Sequence, residues 1–155
     1  MKIIDGKEYI VQVKDLILEY MKMLDRDLTF QNIEEEIKDP AKKYTLPEGE
    51  LLVAVDQVGG KEKVIGMVAY RRHSDTRCEM KRLYVTPDFR GERLGEKLIS
   101  AILEHAKKAG YKEMVLDTIV PFQSAIHLYK KFKFKECEPY YYNPMDDAIY
   151  MKKEL

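Results

Sequence analysis

The segment from Val85 to Leu98, with the sequence VTPDFRGERLGEKL, constrains the fold more than any other part of this chain. A β-rich run ends before Pro87, a short turn carries Arg90 and Gly91, and a helix follows with Gly95 in its first turn. The first N–H groups of a helix have no partner inside the helix, and the helix dipole adds partial positive charge there. Glycine lets an anion approach these groups because it has no Cβ. The segment therefore predicts a strand, a turn and a helix that together bind an anionic group such as a pyrophosphate.

The spacing of apolar residues predicts a mixed α/β organisation in which helices and strands alternate only in the second half. Residues 8–13 alternate weakly between apolar and polar, which indicates a first strand. The remaining predicted elements are, in order, helices at 15–24 and 31–38, strands at 51–55, 64–70 and 77–85, a helix from the turn to about 109, a strand at 114–116, a helix at 122–131, and strands at 133–136 and 148–152. At 155 residues the chain is expected to form one domain, covering 1–155.

Composition excludes several classes of function. The 27 Lys and Arg residues balance the 27 Asp and Glu residues, so no net charge attracts nucleic acid or an anionic membrane. No apolar run is long enough to span a bilayer, and the first residues lack the apolar stretch of a signal peptide. Cys78 and Cys137 have no paired spacing, which favours reduced thiols in the cytoplasm over a disulfide. The histidines at 73, 105 and 127 share no ligand spacing, so no metal site is expected.

Two motifs carry a resemblance to a known family. Arg90 and Gly95 stand at the first and last positions of an R/Q-x-x-G-x-G/A signature, and Leu128-Tyr129 begins a late L-Y-x-x-x-x-F segment. On these residues the chain resembles the GNAT (GCN5-related N-acetyltransferase) superfamily over nearly its whole length. Arg93 and Lys133 stand where the family has glycine. More narrowly, the chain is similar to uncharacterised bacterial members that share the sequences CEMKRLYV, LDT and PYYxNP, here at 78–85, 116–118 and 139–144.

The resemblance implies a fold and a cofactor. The fold is a central, mostly antiparallel, twisted sheet flanked by helices, and the cofactor is acetyl-CoA as acyl donor. The strand before the turn would pair with the pantetheine arm, and the turn would hold the pyrophosphate. The implied cofactor-binding residues are Leu83, Tyr84, Val85, Arg90, Gly91, Glu92, Arg93, Leu94, Gly95 and Glu96. Phosphate binding survives the arginine at position 93 if the backbone there is right-handed, whereas a required positive φ would lower the affinity.

Glu79 is the candidate general base, because several family members use a carboxylate on this strand, often through water. Its neighbours Cys78 and Met80 indicate a partly apolar environment, which would raise the pKa of the carboxyl group. The alternative is a surface glutamate paired with Arg77, Lys81 or Arg82.

Tyr129 is the candidate general acid, since the family's late motif brings this hydroxyl near the cofactor sulfur. A tyrosine that packs in the core and makes one hydrogen bond would fit the helical spacing equally well.

The sequence leaves the role of two further clusters open. Tyr140, Tyr141 and Tyr142 are candidates for an acceptor pocket, a dimer contact or a strand edge. The run from Glu34 to Glu36 is expected to be a solvated helix face, with attraction of a cationic acceptor as the alternative.

The resemblance therefore implies an acetyl-CoA-dependent N-acetyltransferase in which a primary amine of a small molecule or peptide attacks the thioester directly. Cys78 as a nucleophile is the minority alternative for the chemistry. A module that binds CoA or acyl-CoA as a sensor, without turnover, is the alternative from another functional class. A nicotinamide dinucleotide domain is less favoured, because only Gly91 and Gly95 of a G-x-G-x-x-G motif are present. A homodimer is left open.

Overall fold

The computed structural model describes residues 1–26, 32–44 and 48–155. Short 3₁₀ turns at Lys7–Tyr9 and Pro87–Phe89 precede two of the longer elements. The elements are β1 (Lys2–Asp5), α1 (Ile10–Leu24), α2 (Ile33–Lys38), α3 (Pro40–Lys43), β2 (Gly49–Val58), β3 (Lys61–Arg72), β4 (Arg77–Val85), α4 (Leu94–Lys108), β5 (Glu113–Ile119), α5 (Gln123–Lys131), β6 (Lys135–Glu136) and β7 (Ala148–Glu154).

The strands of the described residues form one sheet in the order β1-β2-β3-β4-β5-β7-β6. Every neighbouring pair is antiparallel except β4 and β5, which run parallel. A parallel pair needs a long crossover, and α4 supplies it between these two strands. The mixed fold with a mostly antiparallel sheet, as predicted, is confirmed.

Helices cover both faces of the sheet. Leu98, Ile99 and Ile102 of α4 are fully buried against one face, where Tyr129 of α5 also packs. Val13 and Ile17 of α1 are buried against the opposite face. Among the helices of the described ranges, none is long and apolar enough to cross a membrane. The two apolar cores hold the sheet between helical layers, which fixes the ends of β4 and β5 in space.

The two parallel strands separate soon after they begin. They pair only from Arg77↔Glu113 to Glu79↔Val115, so the rest of β4 and of β5 diverges. On its other side β4 carries a bulge, because Arg82 and Leu83 together lie opposite the single residue Val68 of β3. Arg82 has a φ of 59°, a left-handed conformation that is uncommon for a residue with a Cβ. The bulge bends β4 away from β5 and opens a cleft between them.

The first predicted strand is wrong. Residues 8–13 form the end of a 3₁₀ turn and the first turn of α1, which begins at Ile10 and not at Asp15. The weak alternation was overridden by the helical spacing of Ile10, Val13 and Ile17 on one apolar face. The true first strand, β1, precedes this segment and pairs with β2. The predicted start of the second helix at Gln31 lies outside the described residues.

The solvated face predicted for the Glu34–Glu36 run is wrong at one position. Glu36 is only 2% exposed, and its carboxylate accepts hydrogen bonds from Arg82 Nε at 2.7 Å and from the Tyr44 hydroxyl at 2.8 Å. Lys43 Nζ lies 3.0 Å from the same carboxylate. Burial alone would raise the pKa of Glu36, but Arg82 and Lys43 outweigh it and hold this pKa at about 2. Glu36 therefore ties α2 and α3 to the bulge of β4.

The substitution Glu36→Gln is expected to lower the free energy of unfolding by roughly 3–5 kcal/mol, because it leaves the buried Arg82 without its counter-ion. The pKa of Glu36 is lower in the folded chain than in the unfolded chain. The stabilisation by its carboxylate is therefore present above about pH 4.5 and is lost as the pH falls towards 2. Urea unfolding at pH 7 and pH 3 measures both effects. Glu35→Gln, at an exposed site on the same helix, is the control and should change stability by less than about 0.5 kcal/mol. Equal effects of the two substitutions would contradict the assignment.

Candidate active site

The divergence of β4 and β5 creates a cavity of about 400 Å³. Residues 80–85 of β4 and 116–119 of β5 form two of its walls, and α1 and α5 contribute the others. Beyond Glu79 and Val115 these strand segments have no pairing with each other, so their facing edges keep unused backbone donors and acceptors. The cavity is therefore a slot that an extended ligand can enter by adding to a strand edge.

The predicted anion-binding turn lies at one end of this slot, just after β4. Gly91 has a φ of 89°, a conformation that favours glycine, and α4 begins at Leu94 as expected. The residue before the helix, Arg93, has a φ of 59° and caps the helix in a left-handed conformation. The right-handed backbone that would preserve phosphate binding is therefore absent at Arg93, which has a conformation that glycine adopts more readily.

The side chain of Arg90 folds back onto β4. Its Nε donates a hydrogen bond to the carbonyl of Val85 at 3.0 Å, and its guanidinium lies 5.5 Å from the ring centroid of Tyr84. The side chain lines the cavity, so its positive charge lies between the strand edge and the turn.

The predicted cofactor residues fall into two groups. Leu83, Tyr84, Val85, Arg90 and Gly95 line the cavity. The others lie outside the lining: Leu94 is buried in the core, Gly91, Glu92 and Arg93 are exposed, and Glu96 is ion-paired with Lys131.

Gly95 lies where α4 meets α5. A Cβ at this position would come within 3.2 Å of Leu128 Cδ1, which is tighter than an ordinary contact. The absence of a side chain keeps the first turn of α4 open to the cavity.

Tyr129 lines the cavity from α5 and is 7% exposed. Its ring packs edge-on against Phe134 at 5.9 Å, and among the described residues its hydroxyl makes no hydrogen bond. Burial raises its pKa, so the phenol keeps its proton at neutral pH. Packing in the core, the alternative role, explains the position of the Tyr129 ring, and the hydroxyl remains available to a ligand.

Glu79 does not line the cavity. It is 1% exposed and accepts hydrogen bonds from Arg71 Nε at 2.8 Å and from the Tyr140 hydroxyl at 2.6 Å. Burial would raise the pKa of Glu79, but the charge of Lys81 and the two hydrogen bonds outweigh it, so the pKa is lowered. The prediction of a raised pKa is wrong, because the apolar neighbours Cys78 and Met80 point to the opposite face of the strand.

The three tyrosines have different surroundings. Tyr140 binds Glu79, Tyr141 donates its hydroxyl to Asp117 Oδ2, and Tyr142 is 83% exposed. The first two therefore hold carboxylates of β4 and β5 beside the cleft, and only the third faces solvent.

Cys78 has no access to the cavity. Its side chain is fully buried, and burial raises the pKa of the thiol to about 12, so no thiolate forms at neutral pH. The alternative that Cys78 is a nucleophile is thereby disfavoured.

The histidines lie apart. His105 Nδ1 is 2.7 Å from Glu50 Oε1, the ring of His73 packs on Tyr140, and His127 is exposed. No group of three or more His, Cys, Asp or Glu side chains suited to a metal occurs in the described part of the chain.

The sequence analysis places Lys81 only as a partner of Glu79 and does not single out Asp117, yet both line the cavity. Each lies two positions beyond the last paired residues of β4 and β5. For Asp117 the available signal was a charged residue directly after the apolar run at 114–116. For Lys81 there was none, because it is one of four charged residues in β4.

Comparisons with known proteins agree with this geometry. A model of the acetyltransferase (GNAT) family matches residues 13–134. An uncharacterized N-acetyltransferase of Schizosaccharomyces pombe is 44% identical over 92% of this chain and 86% of its own length, so the similarity is not confined to bacteria. The crystal structure of a GNAT family acetyltransferase from Staphylococcus aureus superposes with a TM-score of 0.80 at 19% identity, over 99% of this chain and 98% of that one. A GNAT family acetyltransferase from Elizabethkingia anophelis, solved with acetyl-CoA bound, has a TM-score of 0.57 at 23% identity, over 71% of this chain and 78% of that one.

The left-handed conformation of Arg93 predicts that Arg93→Gly is more stable than Arg93→Ala by roughly 0.5–1 kcal/mol, since both remove the charge but only glycine relieves the backbone. Lys133, with a φ of 74°, is the matched control, and its glycine and alanine variants should differ by a similar amount. Chemical denaturation of the four variants measures the differences. An alanine variant as stable as its glycine counterpart at position 93 would refute the left-handed conformation there.

Proposed function

Because this chain belongs to the acetyltransferase (GNAT) family, we propose that it transfers an acetyl group from acetyl-CoA to a primary amine by direct attack. The observation that carries the proposal is the cleft between β4 and β5, which runs from the glycine-bearing turn to Tyr129. The acetyl-CoA found in the Elizabethkingia anophelis protein supports the choice of donor. We take residues 1–155 to act as one domain, and a cytoplasmic location and a homodimer remain predictions.

The cofactor would occupy the slot lengthwise. Its pantetheine arm would add to the edge of β4 that faces β5, at Leu83, Tyr84 and Val85, because that edge has no partner strand beyond Glu79, whereas the other edge pairs with β3. The pyrophosphate would lie at the turn and at the start of α4, where the N–H groups of the first helical turn and the helix dipole favour an anion. The turn and first helical turn that would hold it comprise Arg90, Gly91, Glu92, Arg93, Leu94, Gly95 and Glu96. The ion pair with Lys131 offsets the charge of Glu96 beside this anion.

The transfer needs a nucleophilic amine and a protonated leaving group. A base takes one proton from the ammonium form of the acceptor, and the neutral amine nitrogen then attacks the thioester carbonyl. A C–N bond forms and the C–S bond breaks, the thiolate of CoA takes a proton from an acid, and the nitrogen releases its excess proton, which restores the acid. Tyr129 is the proposed donor of that proton, since its hydroxyl is protonated and makes no hydrogen bond to another described residue. Glu79 remains the proposed base, and because it lies outside the cavity lining it would act through a water or hydroxyl relay.

The cofactor site is tested by thermal unfolding with CoA, acetyl-CoA and NAD. Acetyl-CoA should raise the Tm of the wild-type chain, and Gly95→Asp should abolish that shift, since a carboxylate would project beside Leu128 into the anion site. Ser100→Asp, an exposed position on the same helix, is the control for the added charge and should keep the shift. Stabilisation by NAD and not by CoA would overturn the proposal.

The acid role is tested by Tyr129→Phe, which removes the hydroxyl and keeps the packing against Phe134. Turnover, followed as thiol release across a panel of amines, should fall about 100-fold while acetyl-CoA affinity stays within about threefold. Tyr142→Phe, at the exposed end of the tyrosine cluster, should leave both unchanged. An unchanged rate in a chemistry-limited reaction would show that Tyr129 is not the acid. Acetyl-CoA binding without thiol release from any amine would favour the sensor.

A further inference from the structure

The cavity between β4 and β5 is lined from both faces of the sheet. Leu128 and Tyr129 belong to the core beneath α4, whereas Tyr20, Ile119 and Met145 belong to the core beneath α1, and all five line the cavity. The turn that would hold the pyrophosphate leads into α4, and Tyr129 lies on the same face of the sheet. The part of the cavity on the α1 face is therefore left for the acceptor.

Asp117 is the only acidic residue among the described residues that line this cavity. Leu116 belongs to the core beneath α4, and Ile119, two positions after Asp117, belongs to the core beneath α1. Because side chains alternate along a strand, Asp117 points to the α1 face. A primary alkylamine is mostly protonated at neutral pH, so Asp117 is the lining group whose charge complements the ammonium form of an acceptor.

The carboxylate of Asp117 is held by the segment before β7. Its Oδ2 accepts hydrogen bonds from the Tyr141 hydroxyl and from Asn143 Nδ2, the latter at 2.8 Å. These two residues are themselves anchored. Asn143 Oδ1 accepts a hydrogen bond from the Met145 amide at 2.9 Å, and the Tyr150 hydroxyl donates to the carbonyl of Tyr141 at 3.2 Å. The orientation of Asp117 is therefore set before a ligand binds.

The other oxygen of Asp117 is open to a ligand. Within residues 1–26, 32–44 and 48–155, Oδ1 accepts no hydrogen bond and no cationic side chain lies within 4.0 Å of the carboxylate. The two groups that hold Oδ2 are neutral, so they orient the charge without cancelling it. A partly buried carboxylate in this state favours a cationic partner.

Asp117 also lies within electrostatic range of Tyr129. Burial raises the pKa of Tyr129, and the nearby Tyr20 and Asp117 raise it further. An amine at Asp117 would thus lie close to the hydroxyl that is the proposed proton donor to the leaving thiolate, which is where an attacking nitrogen must be placed.

We propose that Asp117 binds the ammonium group of the acceptor and places its nitrogen beside the thioester, with Tyr141 and Asn143 as positioning residues that orient the carboxylate. This inference rests on the proposed acetyl transfer and identifies the acceptor-binding residue of the same site. The rest of the acceptor would extend along the α1 face, past Tyr20 and Met145.

The first test measures thiol release from acetyl-CoA with hexylamine, phenethylamine and cadaverine as acceptors. For the amine that is turned over fastest, Asp117→Asn should raise KM at least tenfold, while acetyl-CoA affinity stays within threefold. Asp75→Asn, at an exposed aspartate, is the matched control and should leave KM unchanged. A KM that stays within threefold in Asp117→Asn would overturn the inference.

A second acceptor shows whether Asp117 recognises charge. The β,β-difluoro analogue of the fastest amine has the same carbon skeleton, but its fluorines lower the basicity of the nitrogen, so it is mostly neutral at pH 8. Asp117→Asn should change KM for this analogue less than threefold at that pH. A structural role for Asp117 would raise KM for both amines alike, and that result would overturn the inference.

The positioning residues are tested by Tyr141→Phe and Asn143→Ala, each of which removes one donor to Asp117 and keeps the carboxylate. Each should raise KM for the fastest amine three- to tenfold and leave KM for its difluoro analogue unchanged. Tyr142→Phe, at an exposed tyrosine, is the control. These variants also decide the matter if Asp117→Asn no longer binds acetyl-CoA, because an unchanged KM in both would overturn the proposed orientation of Asp117.

The rival role for Asp117 is to balance the charge of Lys81, which lines the same cavity. Burial lowers the pKa of Lys81, and the charges of Glu79 and Asp117 act in the opposite direction. The double variant Lys81→Met with Asp117→Asn separates the two roles. An acceptor-binding Asp117 predicts a KM as high as in Asp117→Asn alone, whereas recovery of the wild-type KM would show that Asp117 only neutralises Lys81.

Failure of the wild-type chain to bind acetyl-CoA, or to release thiol with any of the amines, would refute the acetyltransferase proposal and this inference with it. Turnover by the wild-type chain, together with any of the contrary KM results, would overturn the role of Asp117 alone.

Discussion

The site depends on one constraint, the separation of β4 from β5 after Glu79 and Val115. Backbone groups of a parallel pair normally satisfy each other along the whole ladder. Here the bulge at Arg82 bends β4 away, and its left-handed backbone persists because Glu36 holds the guanidinium with two oxygens, at 2.7 and 3.0 Å. The cleft, its open strand edge and its access to the turn before α4 all follow from that local distortion.

Buried charge is concentrated on the α1 side of the sheet, beside the separated strands. Burying an ion without a partner is costly, so each buried charge needs a neighbour of opposite sign or a hydrogen bond. Glu36 and Glu79 meet that need for the cations around them. Tyr140 and Tyr141 come from the segment before β7 and hold Glu79 and Asp117, so the loop joins the two diverging strands from outside. Two of the three tyrosines in this run are therefore part of the polar framework.

Local features of the sequence predicted much of this accurately. The bounds of β4, the start of α4 after the turn, and the core-facing residues Leu98 and Ile102 depend on short-range patterns of glycine, proline and apolar spacing. The burial of Glu36 did not follow from any such pattern, because its partner Arg82 lies 46 residues away. The pKa of Glu79 was misjudged for a related reason: neighbours in sequence lie on the other face of a strand, and the groups that decide its ionisation come from β3 and from Tyr140.

The sequence by itself determined the family resemblance, the mixed α/β fold and the position of the turn before α4, since glycine placement and helix starts act over a few residues. Only the tertiary structure decided which charges meet. Ion pairs and cavities form between residues distant in the chain, and their energies depend on burial and on distances of a few ångströms. That is why Lys81 and Asp117 come to line one cavity only when β4 and β5 separate between them.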